Sequence, residues 1–199
     1  MSPATPRGYH HGELREALVR TARELIAERG LAAFSVAEVA RRCEVSTAAP
    51  YRHFPDRAAL LAEVARTVAQ ELRAEVVEAA AAHEDPADRL AAAAAAYTAH
   101  MLRHRAGLHV VFAEPLRDAG FAELHAQRRL LIDEYLALSF AAAPDAARGL
   151  LLMEQLLTQA HGYATFYQDG VLSMNGYDVE EVVRKSAEAA RTIITGTAG

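Results

Sequence analysis

From Gly12 to Thr195 the apolar residues recur three and four positions apart, and no stretch alternates apolar with polar long enough to build a strand. That period restricts the chain to packed helices. Gly30, Pro86, Gly107, Pro115, Gly120, Pro144, Gly170 and Gly176 break it at the joints. The predicted fold is all-α, with helices over 12–29, 36–43, 47–53, 56–83, 85–104, 121–141, 145–167 and 178–195 and a broken segment over 106–119. The alanine run at 91–96 is helix-forming sequence, not a linker.

A chain of 199 residues, 52% hydrophobic and 24% charged, has enough apolar surface for a large core. No apolar run approaches the roughly 18 residues of a membrane span, so no membrane partner is expected. The start, Met1 to Arg7, lacks the apolar centre of a secretory signal, and the expected location is cytoplasmic. Cys43 is the sole cysteine, which excludes an internal disulfide. Charge is uneven along the chain. Residues 1–60 hold nine arginines against seven acids, a net +2, while the rest carries −7. A mildly basic head on an acidic body suits phosphate contact at one end.

Local signals in the head are specific. Ser35-Val-Ala-Glu38 reads as a capping box, with Phe34 and Val39 placed as a hydrophobic staple. Val36, Val39, Ala40 and Cys43 form an inward face at helical spacing. Only Glu44, Val45 and Ser46 separate this helix from the next, over Thr47–His53. Two short helices joined by three residues, the second too short to be core, predict a helix-turn-helix. Pro50 and Phe54 turn inward, which leaves Thr47, Ala48, Ala49, Tyr51, Arg52 and His53 outward. Small residues let such a helix enter a major groove, and Arg52 offers two donors to a guanine. Tyr51 and His53 offer donors to phosphate oxygens. Arg41 and Arg42 fit either a solvated face or phosphate contact; Arg42 joins the DNA-binding set, as does Ser35 at the helix start.

Tyr9-His-His-Gly12, Phe34-Ser-Val-Ala-Glu-Val-Ala40, Val45-Ser-Thr-Ala-Ala-Pro-Tyr-Arg-His-Phe54 and Asp56-Arg-Ala-Ala-Leu60 together resemble the tetracycline-repressor (TetR) family. The resemblance covers residues 9–64. It implies an all-α homodimer with a flexible arm over 1–8, a three-helix DNA-binding head over 9–56, and a helical effector-binding and dimerisation body over 57–199. It places Thr47, Ala48, Ala49 and Arg52 near bases, and Tyr51, His53 and Arg57 on phosphates. The implied partners are operator double-stranded DNA, a small-molecule effector and a second copy of the chain, in a repressor that the effector releases. Glu44 stands where the family usually has glycine; were that position left-handed, glutamate would cost about 1 kcal/mol. The Ala-Ala-Pro-Tyr-Arg-His-Phe run resembles a sub-branch whose body often carries a Trp–His–Gly motif. His161-Gly162 matches its end, but this chain has no tryptophan.

In the body, Tyr97, Met101, Phe112, Tyr135, Gln159, His161, Tyr163 and Phe166, with Met153, fit the lining of an apolar effector cavity, although each singly fits core packing. Leu150 and Leu157, with Val182, Val183, Ala190 and Ile193, form apolar stripes suited to a two-fold interface; packing within the chain is the alternative. Two heads would double the phosphate contacts of one. His100 and His104 share a helix face at i, i+4, as metal ligands do, but no third ligand is evident beyond the candidates His109 and His125. No metal and no cofactor is therefore assigned. A helical-bundle enzyme is the rival class, yet no nucleophile motif or phosphate-binding glycine loop occurs. A protein-binding adaptor is the other.

Overall fold

The computed structural model describes residues 11–117 and 120–196. The arm expected over 1–8 lies outside them, as do Tyr9 and His10. The helices are α1 (His11–Arg29), α2 (Val36–Arg42), α3 (Arg57–Ala81), α4 (Pro86–His104), α5 (Leu108–Val111), α6 (Ala122–Ala142), α7 (Ala146–Gln168) and α8 (Val179–Thr195). Among the described residues there is no strand, and no helix is long and apolar enough to cross a membrane.

Helix starts follow the sequence closely. Asp56, Asp85, Asp145 and Asp178 each accept a backbone N–H of the first turn, at 2.8–3.1 Å. Each such cap stabilises its helix by about 1 kcal/mol. Gly30 ends α1 at φ 78°, and its N–H reaches the Ile26 carbonyl at 2.8 Å. The capping box expected at α2 does not form. Ser35 has the extended backbone of an N-cap, but its hydroxyl makes no cap hydrogen bond. Arg41 and Arg42 draw the Glu38 carboxylate forward along the helix instead.

One core joins head and body. Leu18, Ala22, Leu25 and Ile26 of α1 and Val36, Val39 and Ala40 of α2 are buried in the head. The first turns of α3 bring Leu60, Leu61 and Val64 against them, and the same helix continues with Val68, Leu72 and Val76 into the body. Burying each of these leucines contributes about 1.5–3 kcal/mol. Helix α4 is the hub of the body, packing on α3, α6, α7 and α8. Its buried Ala91, Ala93 and Ala94 let neighbouring backbones come close. A polar bridge pins α8 to the hub: the Thr98 and Ser186 hydroxyls are 2.7 Å apart, and Gln159 of α7 donates to Ser186 Oγ at 3.2 Å. Arg128 of α6 donates to the carbonyls of Val111 and Leu116, holding the broken segment against the body.

Candidate DNA interface and the body beneath it

The turn after α2 is a Schellman cap. Glu44 sits at φ 56°, in the left-handed region. Its N–H bonds to the Arg41 carbonyl at 3.1 Å, and the Val45 N–H reaches back to Ala40 at 3.0 Å. The chain thus reverses in three residues, with a side chain where glycine would be unstrained.

The second helix of the motif is shorter than expected. In place of an α-helix over 47–53, the chain makes turns and then a 3₁₀ turn over Pro50–Arg52. Pro50 has no N–H to give the Ser46 carbonyl, which takes the Ala49 N–H instead, at 2.9 Å. Arg52 bonds back to Ala49 and His53 to Pro50, both three residues apart. The inward face is buried: Val36, Val39, Ala40, Cys43, Pro50 and Phe54. Cys43 packs with Sγ 3.3 Å from Thr21 Oγ1, as a small core residue. Thr47, Ala48, Tyr51 and Arg52 are exposed on the opposite side, with Ala49 and His53 half-buried between.

The basic residues around this turn are not equivalent. Arg42 makes two hydrogen bonds to the Glu28 carboxylate, at 2.7 and 3.0 Å, and a third to Glu38 at 3.3 Å. The Arg41 hydrogen bonds, with Arg42 adding to them, hold the Glu38 carboxyl at about 2. Arg57 stacks over the Phe34 ring at 5.0 Å and donates to the Phe34 carbonyl at 3.1 Å, closing the segment between α1 and α2 onto α3. Ser35 is half-buried beside it. Arg42 is half-buried and paired within the head, Arg57 is exposed but held against Phe34, and Arg52 is exposed.

Head and body meet in an open cleft of about 350 Å³, lined by Arg15, His53, Phe54, Glu63, Arg66 and Phe121, among others. Glu63 is the buried acid of this cleft. The Arg66 hydrogen bond, helped by Arg15, lowers its carboxyl to about 2 against the burial that raises it. These residues come from α1, the 3₁₀ turn, α3 and the start of α6, so no spacing in the sequence marks them as neighbours.

The structure divides the set expected to line an effector cavity. Tyr97, Met101 and Tyr135 are sealed in the core, whereas Phe112 and Phe166 are exposed. Gln159, His161 and Tyr163, like Met153, are half-buried on α7. The Tyr97 hydroxyl is 2.8 Å from His161 Nδ1 and closes the space between α4 and α7. Burial raises the pKa of both tyrosines. Tyr135 Oη on α6 is buried without a hydrogen-bond partner among the described residues, as is Gln159 Oε1 on the face of α7 that meets Ser186 of α8. The stripe on α8 is divided too. Val182 and Ala190 point at α4 and are fully buried, in step with Ser186. Val183, Ile193 and Leu157 lie half-exposed at the margin, and Leu150 is 52% exposed beside Leu151 on α7.

His100 is fully buried on α4, and its ring centroid is 4.7 Å from that of His104. The acid that joins them is Glu75 of α3, with Oε2 3.2 Å from His100 Nδ1 and Oε1 3.8 Å from His104 Nε2. Neither His109 nor His125 belongs to this group. Helical periodicity shows which residues share a face of one helix but not which turn of another lies opposite, so Glu75 carries no signal in the sequence.

Residues 18–64 match the model for bacterial regulatory proteins of the tetR family. The head is that of a TetR-family regulator. The match spans α1, α2, the left-handed turn, the 3₁₀ turn and the start of α3. Solved structures extend the likeness to the whole chain as a fold. A protein with unknown function from Rhodococcus sp. RHA1 is 29% identical, covering 97% of this chain and 100% of that one with a TM-score of 0.76. A transcriptional regulator from the same organism is 24% identical, with 92% and 96% covered and a TM-score of 0.66. The Bacillus subtilis regulator FadR, solved in complex with stearoyl-CoA, is 16% identical, with 91% and 98% covered and a TM-score of 0.65. No curated protein sequence matches the chain. The matched segment is thus a TetR-type head, and the likeness of the rest of the chain is one of fold; the Trp–His–Gly sub-branch finds no separate support.

Proposed function

We propose that the chain is a homodimeric, non-enzymatic repressor that grips operator DNA with two heads and releases it when a small molecule enters the body. The observation that carries this reading is the surface of the 3₁₀ turn. Thr47, Ala48, Tyr51 and Arg52 are exposed on a backbone whose other face, Pro50 and Phe54, is anchored in the core. Ala48 and Ala49 let the turn sink into the major groove, Arg52 reads a guanine edge, and Tyr51 and His53 hold phosphates. Arg42, Arg57 and Ser35 act one layer behind, Arg42 after leaving Glu28. Leu150, Leu151 and Leu157 of α7, with Val183 and Ile193 of α8, supply the two-fold contact.

The effector enters between α4, α6 and α7, parting Tyr97 from His161 and satisfying the Tyr135 hydroxyl, whose isolation costs about 1–3 kcal/mol. That FadR, a protein of similar fold, was solved in complex with stearoyl-CoA supports a ligand-binding role. The test is selection of genomic fragments by the purified chain, followed by anisotropy titration of the best fragment at two salt concentrations. The expected result is one fragment bound at least a hundredfold more tightly than random duplex. Uniform weak binding to every duplex would overturn the reading and favour a protein-binding adaptor.

A further inference from the structure

We propose that Glu75, His100 and His104 bind one divalent transition-metal ion of the zinc class between α3 and α4. The inference is independent of the DNA-binding reading. One donor atom from each residue lies within 4.8 Å of the other two. In a tetrahedral zinc site, with bonds of about 2.0–2.2 Å, donor atoms stand roughly 3.3 Å apart. The pair formed by Glu75 Oε2 and His100 Nδ1 is already at 3.2 Å. His104 must move by about an ångström or two, which its half-buried side chain permits.

The second observation is the state of His100. The residue is fully buried, yet neither ring nitrogen has a hydrogen-bond partner among the described residues. A buried imidazole without donor or acceptor contacts is uncommon, because each missing bond leaves a desolvated polar atom. Here Nδ1 approaches a carboxylate oxygen closely without the geometry of a hydrogen bond. A cation between the two atoms accounts for that approach. Two imidazoles and one carboxylate suit Zn²⁺, Co²⁺ or Ni²⁺ and not the oxygen-seeking Mg²⁺ or Ca²⁺. Water fills the fourth position.

Arg103 opposes the ion. Its Nη1 is 2.9 Å from Glu75 Oε1, but the side chain is 56% exposed and free to swing into solvent. Arg23, on the other side, is engaged with Glu71. Losing Arg103 removes both a competitor for the carboxylate and a nearby positive charge.

The experiment is calorimetric titration of the full, tag-free, chelator-treated chain with Zn²⁺, alongside thermal melts. We expect one ion per chain and a raised melting temperature, because the ion ties α3 to α4. His104→Ala and Glu75→Gln, both away from the sealed core, should fold without metal yet lose at least tenfold in affinity. Arg103→Ala should bind several-fold more tightly. No saturable binding, or unchanged affinity in His104→Ala and Glu75→Gln, overturns the site. Weaker binding by Arg103→Ala overturns the assignment of Glu75 as a ligand.

Discussion

The Arg15 guanidinium of α1 lies 2.9 Å from the Glu63 carboxylate of α3, and Arg66 holds the same oxygen at 2.8 Å. One acid at the edge of the head–body cleft thus joins the first helix to the long one. The folded carboxyl titrates at about 2 and the free one near 4.5, so its stabilising effect is complete above the upper value and lost as pH falls through the lower. Glu63→Gln is expected to melt at a lower temperature at neutral pH and to lose less stability on acidification. Melts by circular dichroism across the acid range check this; parallel curves for both proteins would refute it.

Glu44→Gly should raise the melting temperature. A residue with a Cβ at φ 56° bears strain of about 1 kcal/mol that glycine does not. For a chain of this size that corresponds to roughly 2–4 °C. The measurement is differential scanning calorimetry, and an unchanged or lower value would show that the Glu44 side chain repays its strain.

Arg52→Ala is expected to cost about 1–3 kcal/mol on the best genomic fragment and to relax the base preference at one position. Tyr51→Phe should weaken selected and random duplexes alike, because a phosphate contact positions without specifying. A Tyr51→Phe loss confined to the selected fragment would move Tyr51 from phosphate to base.

Glu28→Gln releases the two hydrogen bonds that hold Arg42 back. We expect tighter binding to random duplex and a salt dependence steeper by about one phosphate contact, a slope change near −0.9. Anisotropy at four salt concentrations measures it. An unchanged slope would leave Arg42 a structural residue of the head.

Leu151→Asp should convert a dimer to a monomer in sedimentation analysis. Leu151 is 43% exposed beside Leu150, so the charge disturbs no packing within the chain. A variant that remains dimeric would place the two-fold contact elsewhere.

The head was largely legible because its signals are local. Gly30, the Asp56 cap, the apolar faces of α1 and α2 and the inward pair Pro50 and Phe54 depend on neighbours within a few residues. The errors there are also local. A capping box needs Glu38 to reach back, and Arg41 three residues ahead competes for it more strongly. An α-helix through Pro50 needs an N–H that proline lacks. In the body, spacing identified apolar faces but not their partners. Val182 and Ala190 read as well for an interface with another chain as for the contact they make with α4. Glu75 escaped notice because its relation to His100 exists only once α3 and α4 are packed.

Helix α3 is unbroken from Arg57, beside the 3₁₀ turn, to Ala81 in the body. Its 25 residues make a rod of about 37 Å. A rod of that length magnifies angle into distance: five degrees of tilt at the body end displaces the other end by about 3 Å, nearly the rise of one base pair in a duplex. In the proposed dimer, two such rods would move their turns against a groove that repeats every 34–36 Å or so, where a mismatch of a single base-pair step would take both heads out of register.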